Sequence, residues 1–107
     1  MNEKISLSVA EIKSAQEENT KKLLFIDVRE KWERDICHIE GSMHIPTSEL
    51  EYFDLSEIPA DQYDQLIIYC QHGVRSTHAA YLFRSKKILN AYSMQGGLSA
   101  WLANMSR

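Results

Sequence analysis

Short aliphatic runs that alternate with helix-like stretches set the strongest limit on how this chain folds. The runs are "LLFIDV" (23–28), "SMHIP" (42–46), "LIIYC" (66–70) and "AYSM" (91–94), with a brief "ISL" (5–7) as a further candidate. Between them, Ser8-Val9-Ala10-Glu11 has the form of a capping box, and Val9, Ile12 and Ala15 then share one helical face. Ser48-Glu49-Leu50-Glu51 repeats the box after Pro46. Ser76 is placed to cap a third helix, whose Ala79, Ala80, Leu82 and Phe83 form a stripe of 3.6 period. A last short helix over 98–104 follows Gly96-Gly97, which suit a sharp turn. Strands alternating with helices predict an α/β fold: a central parallel sheet with helices on both faces. Such sheets bind ligands beyond the carboxyl ends of their strands, where Asp27 and Cys70 both fall.

At 107 residues, the expectation is one domain over 1–107. The net charge of −3 argues against nucleic acid or an anionic membrane surface as the main partner, while leaving room for a local basic pocket. No run approaches the roughly 18 apolar residues of a membrane span, and the leading segment lacks a secretory h-region. Cys37 and Cys70 are the only cysteines, so reactive thiols in a reducing cytoplasm are expected rather than a disulfide scaffold. A monomer is the simplest expectation, although the sequence says little about assembly.

The chemistry concentrates in Cys70-Gln71-His72-Gly73-Val74-Arg75-Ser76. Four residues separate Cys70 from Arg75. A loop of that size, curled around the sulfur, turns successive amides inward as an anion-binding nest. The helix that follows presents its positive end to the same place. Gly73 permits a positive φ, and Arg75 offers a planar fork of donors. Each feature favours thiolate over thiol. The alternative is an inert cysteine finishing a buried strand, but Cys, Gly, Arg and Ser in order at a strand-to-helix junction weigh against it.

With these residues in view, the chain resembles a single-domain rhodanese-like protein. The resemblance is carried by "FIDVRE", "HIEGSMHIP", "IIYCQHGVRS" and "MQGGLSAW", in that order and spacing. It implies a sulfurtransferase in which Cys70 takes sulfane sulfur from a small anionic donor such as thiosulfate and becomes a persulfide. The sulfur then passes to cyanide, a thiol or a protein acceptor, with no metal or organic cofactor. Gln71, His72, Gly73, Val74, Arg75 and Ser76 would bind the substrate, while Asp27 and Arg29 would support the site. Phosphatase-like relatives have one residue more between cysteine and arginine, which makes room for phosphate or arsenate. The shorter loop here favours sulfur. A persulfide relay with little small-molecule turnover is the first rival, phosphatase or arsenate-reductase chemistry the second, and a non-catalytic interaction domain a third.

The remaining residues each allow two readings. Asp27 is an acid tuning the site or, as favoured, a structural acceptor for loop amides or an arginine. Arg29 and Glu33, spaced i, i+4, are expected to pair and brace a helix turn. His38 is read as core or capping rather than as a general base. His72 faces solvent or else draws anionic donors to the pocket mouth, and Gln71 lines the rim. Cys37 stands where the family usually has glycine; it is a tolerated small residue or a resolving thiol. Arg34 replaces a frequent aromatic residue, with Trp32 expected to supply the packing. Trp101 and Tyr81 are expected to be buried at least in part.

Overall fold

The computed structural model describes residues 4–105; the ends of the expected single domain, 1–3 and 106–107, lie outside the described residues. The strands are β1 (Ser6–Leu7), β2 (Leu23–Asp27), β3 (Met43–His44), β4 (Gln65–Tyr69) and β5 (Ala91–Met94). They form one parallel sheet in the order β1-β5-β4-β2-β3. The helices are α1 (Val9–Glu18), α2 (Lys31–Ile36), α3 (Thr47–Leu50), α4 (Val74–Ser85) and α5 (Gly97–Met105). No helix among the described residues is long and apolar enough to cross a membrane.

The central strands are apolar on both sides, and their period of two divides the core. Leu66, Ile68 and Cys70 point to one face, where they join Ile26, Val28 and the α4 residues Ala79, Ala80 and Phe83. Ile67 and Tyr69 point to the other, with Phe25, Val9 and Ile12 of α1, and Leu98 and Trp101 of α5. Helices therefore cover both faces. Phe25 and Trp101 meet edge to face at 5.5 Å.

Two helix starts differ from the sequence expectation. The Ser8 box forms as read, with reciprocal bonds of 3.0 Å to Glu11. The Ser48 box does not, because α3 starts two residues earlier than that box requires, at Thr47, whose amide donates to the Val28 carbonyl just past β2. Ser48 lies inside the helix, and its hydroxyl and amide both donate to the Glu30 carboxylate. Nor does Ser76 cap α4. That helix starts at Val74 behind Gly73, whose φ of +107° only glycine adopts readily.

Helix α2 buries none of its residues and is held by polar contacts. Trp32 is 67% exposed, and Tyr81 is exposed on α4, so neither provides the packing expected of it. Arg34 anchors α2 instead. Its guanidinium reaches Asp27 at 3.2 Å and the Ser42 hydroxyl and carbonyl at 2.9 and 2.7 Å. The Arg29–Glu33 ion pair is likewise absent: Arg29 donates to the Glu33 backbone carbonyl at 3.3 Å.

Arg29 turns inward because Asp27 lies fully buried beside it. The Arg29 amide and Nε donate to Asp27 Oδ1 at 2.9 and 3.1 Å, and Nη2 donates to Oδ2 at 3.0 Å. Tyr69 adds its hydroxyl at 3.2 Å. Burial alone would push the Asp27 carboxyl up, but the Arg29 bonds and charge outweigh it and hold the carboxyl below its ordinary value. The stability this contributes is present above the unfolded Asp pKa of about 3.9 and is lost as pH falls through the lower folded value. Asp27→Asn, which leaves Arg29 buried without its counter-charge, is expected to cost about 3–5 kcal/mol in urea unfolding at neutral pH. Its stability should also decline less than wild type below that pH.

Candidate active site

The sulfur of Cys70 sits just past β4, and the chain from His72 to Ser76 folds around it. The Gly73 amide donates to Sγ at 3.0 Å and the Ser76 amide at 3.3 Å. The Cys70 thiol and Ser76 hydroxyl lie 3.4 Å apart, so the thiol donates to Oγ; in the thiolate, the hydroxyl turns its proton to the sulfur. Cys70 is 1% exposed. That burial pushes the thiol pKa up, but hydrogen bonds from the Ser76 hydroxyl and amide, and from the Gly73 and His72 amides, reverse the sign. The net effect holds Cys70 below the ordinary cysteine value.

The helix start of α5 supports this loop from beneath. The Leu98 amide donates to the Cys70 carbonyl at 2.8 Å, and the Ser99 amide to the Gln71 carbonyl at 3.1 Å. Gly97 makes the approach possible: a Cβ there would lie 2.5 Å from the Cys70 carbonyl oxygen, and its φ is +63°. In the sequence, Gly96-Gly97 signals only a turn. Ser93 belongs to the same support, buried on β5 with its hydroxyl 2.7 Å from Ser76 Oγ. Thr77 donates to the Gly73 carbonyl at 2.7 Å. A lone serine within a strand gives no sequence signal of this kind.

The other expected site residues separate into distinct positions. The Gln71 side chain bridges the frame and the loop: Arg29 Nη1 donates to its Oε1 at 3.2 Å, and its Nε2 donates to Ser99 Oγ at 3.1 Å. His72 is exposed, with Nδ1 3.3 Å from Ser99 Oγ. Val74 is also exposed. Arg75 does not aim its fork at the sulfur. Both amino groups lie on the Glu33 carboxylate, at 2.7 and 2.9 Å, although 42 residues separate the two in sequence. The Arg75 bonds bring the Glu33 carboxyl down to about 2, so Glu33 is ionised throughout the physiological range. Outside the loop, His38 stands at the end of α2 with Nδ1 3.0 Å from the Arg34 carbonyl. Cys37 and Cys70 are both unbridged thiols. Among the described residues, no cluster of His, Cys, Asp and Glu is arranged to hold a metal.

The fold is shared with known proteins. The rhodanese-like domain family matches residues 8–104. The chain is 30% identical to the thiosulfate sulfurtransferase GlpE of Shewanella oneidensis over 81 residues, covering 76% of this chain and 77% of that protein. It is 37% identical over 86 residues to the probable adenylyltransferase/sulfurtransferase MoeZ of Mycobacterium tuberculosis; the match covers 79% of this chain but spans only 21% of that longer relative. The structure of the human single-domain sulfurtransferase TSTD1 superimposes with a TM-score of 0.75 at 26% identity, over 94% of this chain and 97% of that one. The chain belongs to the rhodanese-like domain family.

The hydroxyl of Ser76 has a measurable share in the thiolate environment. In Ser76→Ala the amide bonds to Sγ persist while the hydroxyl is lost, so the Cys70 titration midpoint should move upward. The thiolate ultraviolet absorbance followed against pH reads this directly, and an unmoved midpoint would assign the depression to the backbone amides alone.

Proposed function

We propose that the protein is a sulfurtransferase that carries sulfane sulfur as a Cys70 persulfide. The observation that carries this reading is the buried Cys70 sulfur, gripped by the Gly73 and Ser76 amides within a four-residue loop. The Cys70 thiolate attacks the outer sulfur of a donor such as thiosulfate. A new S–S bond forms, the donor S–S bond breaks, and sulfite leaves with the electron pair. The persulfide keeps its negative charge on the terminal sulfur, which inward amides stabilise as an oxyanion hole stabilises oxygen. A nucleophile such as cyanide or a thiol then takes the outer sulfur and restores the Cys70 thiolate. No step calls for a metal or an organic cofactor, and a reducing compartment keeps Cys37 and Cys70 available as thiols.

The shorter loop supports sulfur over phosphate or arsenate, because a tight nest fits one sulfur atom better than a tetrahedral group. A second reading, relay of the sulfur to a protein acceptor, is favoured by a groove of about 360 Å³ beside Gln71, where exposed Trp32 and Ile36 form one wall.

Mass spectrometry after incubation with excess thiosulfate is expected to show one added sulfur atom on the wild-type chain, removed by cyanide and absent from Cys70→Ser. An unmodified protein that hydrolyses aryl phosphates would contradict the proposal. Sulfur that loads fully but leaves only slowly to cyanide would select the relay.

A further inference from the structure

Thiosulfate is a dianion, and a site built to capture it should present uncompensated positive charge. The Cys70 mouth does not. Arg75 lies within electrostatic reach of the Cys70 sulfur, but Glu33 occupies both of its amino groups, and the charge of Glu30 also acts on it. Arg29 and Arg34 both donate to Asp27. Three guanidiniums therefore stand against three carboxylates, Asp27, Glu30 and Glu33, and no positive charge is left over for the Cys70 thiolate or a donor. The Glu33 carboxylate is fixed in place, since its Oε1 also accepts the Glu30 amide at 3.1 Å and its side chain is only 12% exposed. It borders the groove whose other walls include Trp32, Ile36 and the loop residue Gln71.

We propose that Glu33 sets the donor specificity of this site. By holding the Arg75 fork in a bidentate pair, it withdraws the positive well that would draw in thiosulfate. What remains is a mouth without surplus positive charge, suited to organic persulfides, RSSH, of lower charge than thiosulfate. This inference rests on the Cys70 persulfide reading and names the donor class for it. In the corresponding step the Cys70 thiolate attacks the outer sulfur of RSSH, the S–S bond breaks, and RS⁻ departs. The Cys70 persulfide then gives its proton to RS⁻, leaving RSH and the persulfide anion. An Arg–carboxylate pair of this geometry is strong enough to compete with an incoming anion for the same donors.

The test is steady-state kinetics with cyanide as acceptor, each rate corrected for the direct reaction of the donor with cyanide, comparing thiosulfate with 2-hydroxyethyl persulfide in wild type, Glu33→Gln and Glu33→Ala. Release of Arg75 should lower the thiosulfate KM by about tenfold, the gain of one charge-assisted anion contact, and should lower the KM of the less highly charged persulfide far less. The Cys70 thiol should also titrate at lower pH in the variants, since the anion that offsets Arg75 is gone; a merely structural role for Glu33 would not produce that shift. Wild-type kcat/KM for thiosulfate should not fall as ionic strength rises, because no surplus positive charge draws the dianion in. Folded variants with an unchanged thiosulfate KM would overturn the proposal. A steep fall of wild-type kcat/KM with added salt would overturn it too, and that measurement decides the matter if neither variant folds. Absence of a sulfur adduct from both donors would instead remove the persulfide reading itself.

Discussion

The buried pair of Asp27 and Arg29 ties the sheet to everything that surrounds the sulfur. Asp27 ends β2, fully buried between β4 and β3, where an unpartnered carboxylate would be strongly disfavoured. Arg29 meets it two residues later, then extends to the Cys37 and Glu33 carbonyls at the end of α2 and to Gln71 in the Cys70 loop. Arg34 and Tyr69 complete the carboxylate's shell. One charge thus positions a helix that has no buried residues of its own, and joins it to the loop after β4. The arrangement tolerates burial because no described buried side-chain polar atom lacks a partner.

The sulfur is governed by a balance of opposite effects. Burial in the core cluster favours the neutral thiol, and the converging donors favour the anion. The donors prevail because the loop places them before any reaction occurs, fixed by Gly73 at its bend and by the α5 amides below. Glu33 and Arg75 add a second balance at the rim, where pairing determines how much positive charge an incoming molecule meets.

Much of this was legible in the residues themselves. The strand at 91–94 and the Ser8 cap of α1 follow from local pattern and hydrogen-bonding capacity. So does the strand-loop-helix around Cys70, because Gly73 marks the one bend that a side chain would strain. Local rules failed where a distant group offered a better partner. Glu30 drew Ser48 away from a cap, and Asp27 took Arg29 from Glu33. Arg75 in turn took Glu33 from across 42 residues. Spacing of i, i+4 shows which side chains can meet, but not which competitor reaches one of them first.

The sequence by itself determined the parallel α/β architecture and the place of Cys70 at a strand-to-helix junction, because apolar periodicity and turn chemistry act over a few neighbouring residues. Tertiary structure alone decided where the charges go. Whether Arg75 faces a substrate or a carboxylate, and whether Gly97 is a turn or the seat of the Cys70 loop, depends on which elements the sheet brings side by side. Ion pairing and close backbone approach act through space, so their partners appear only once the strands have set the distances.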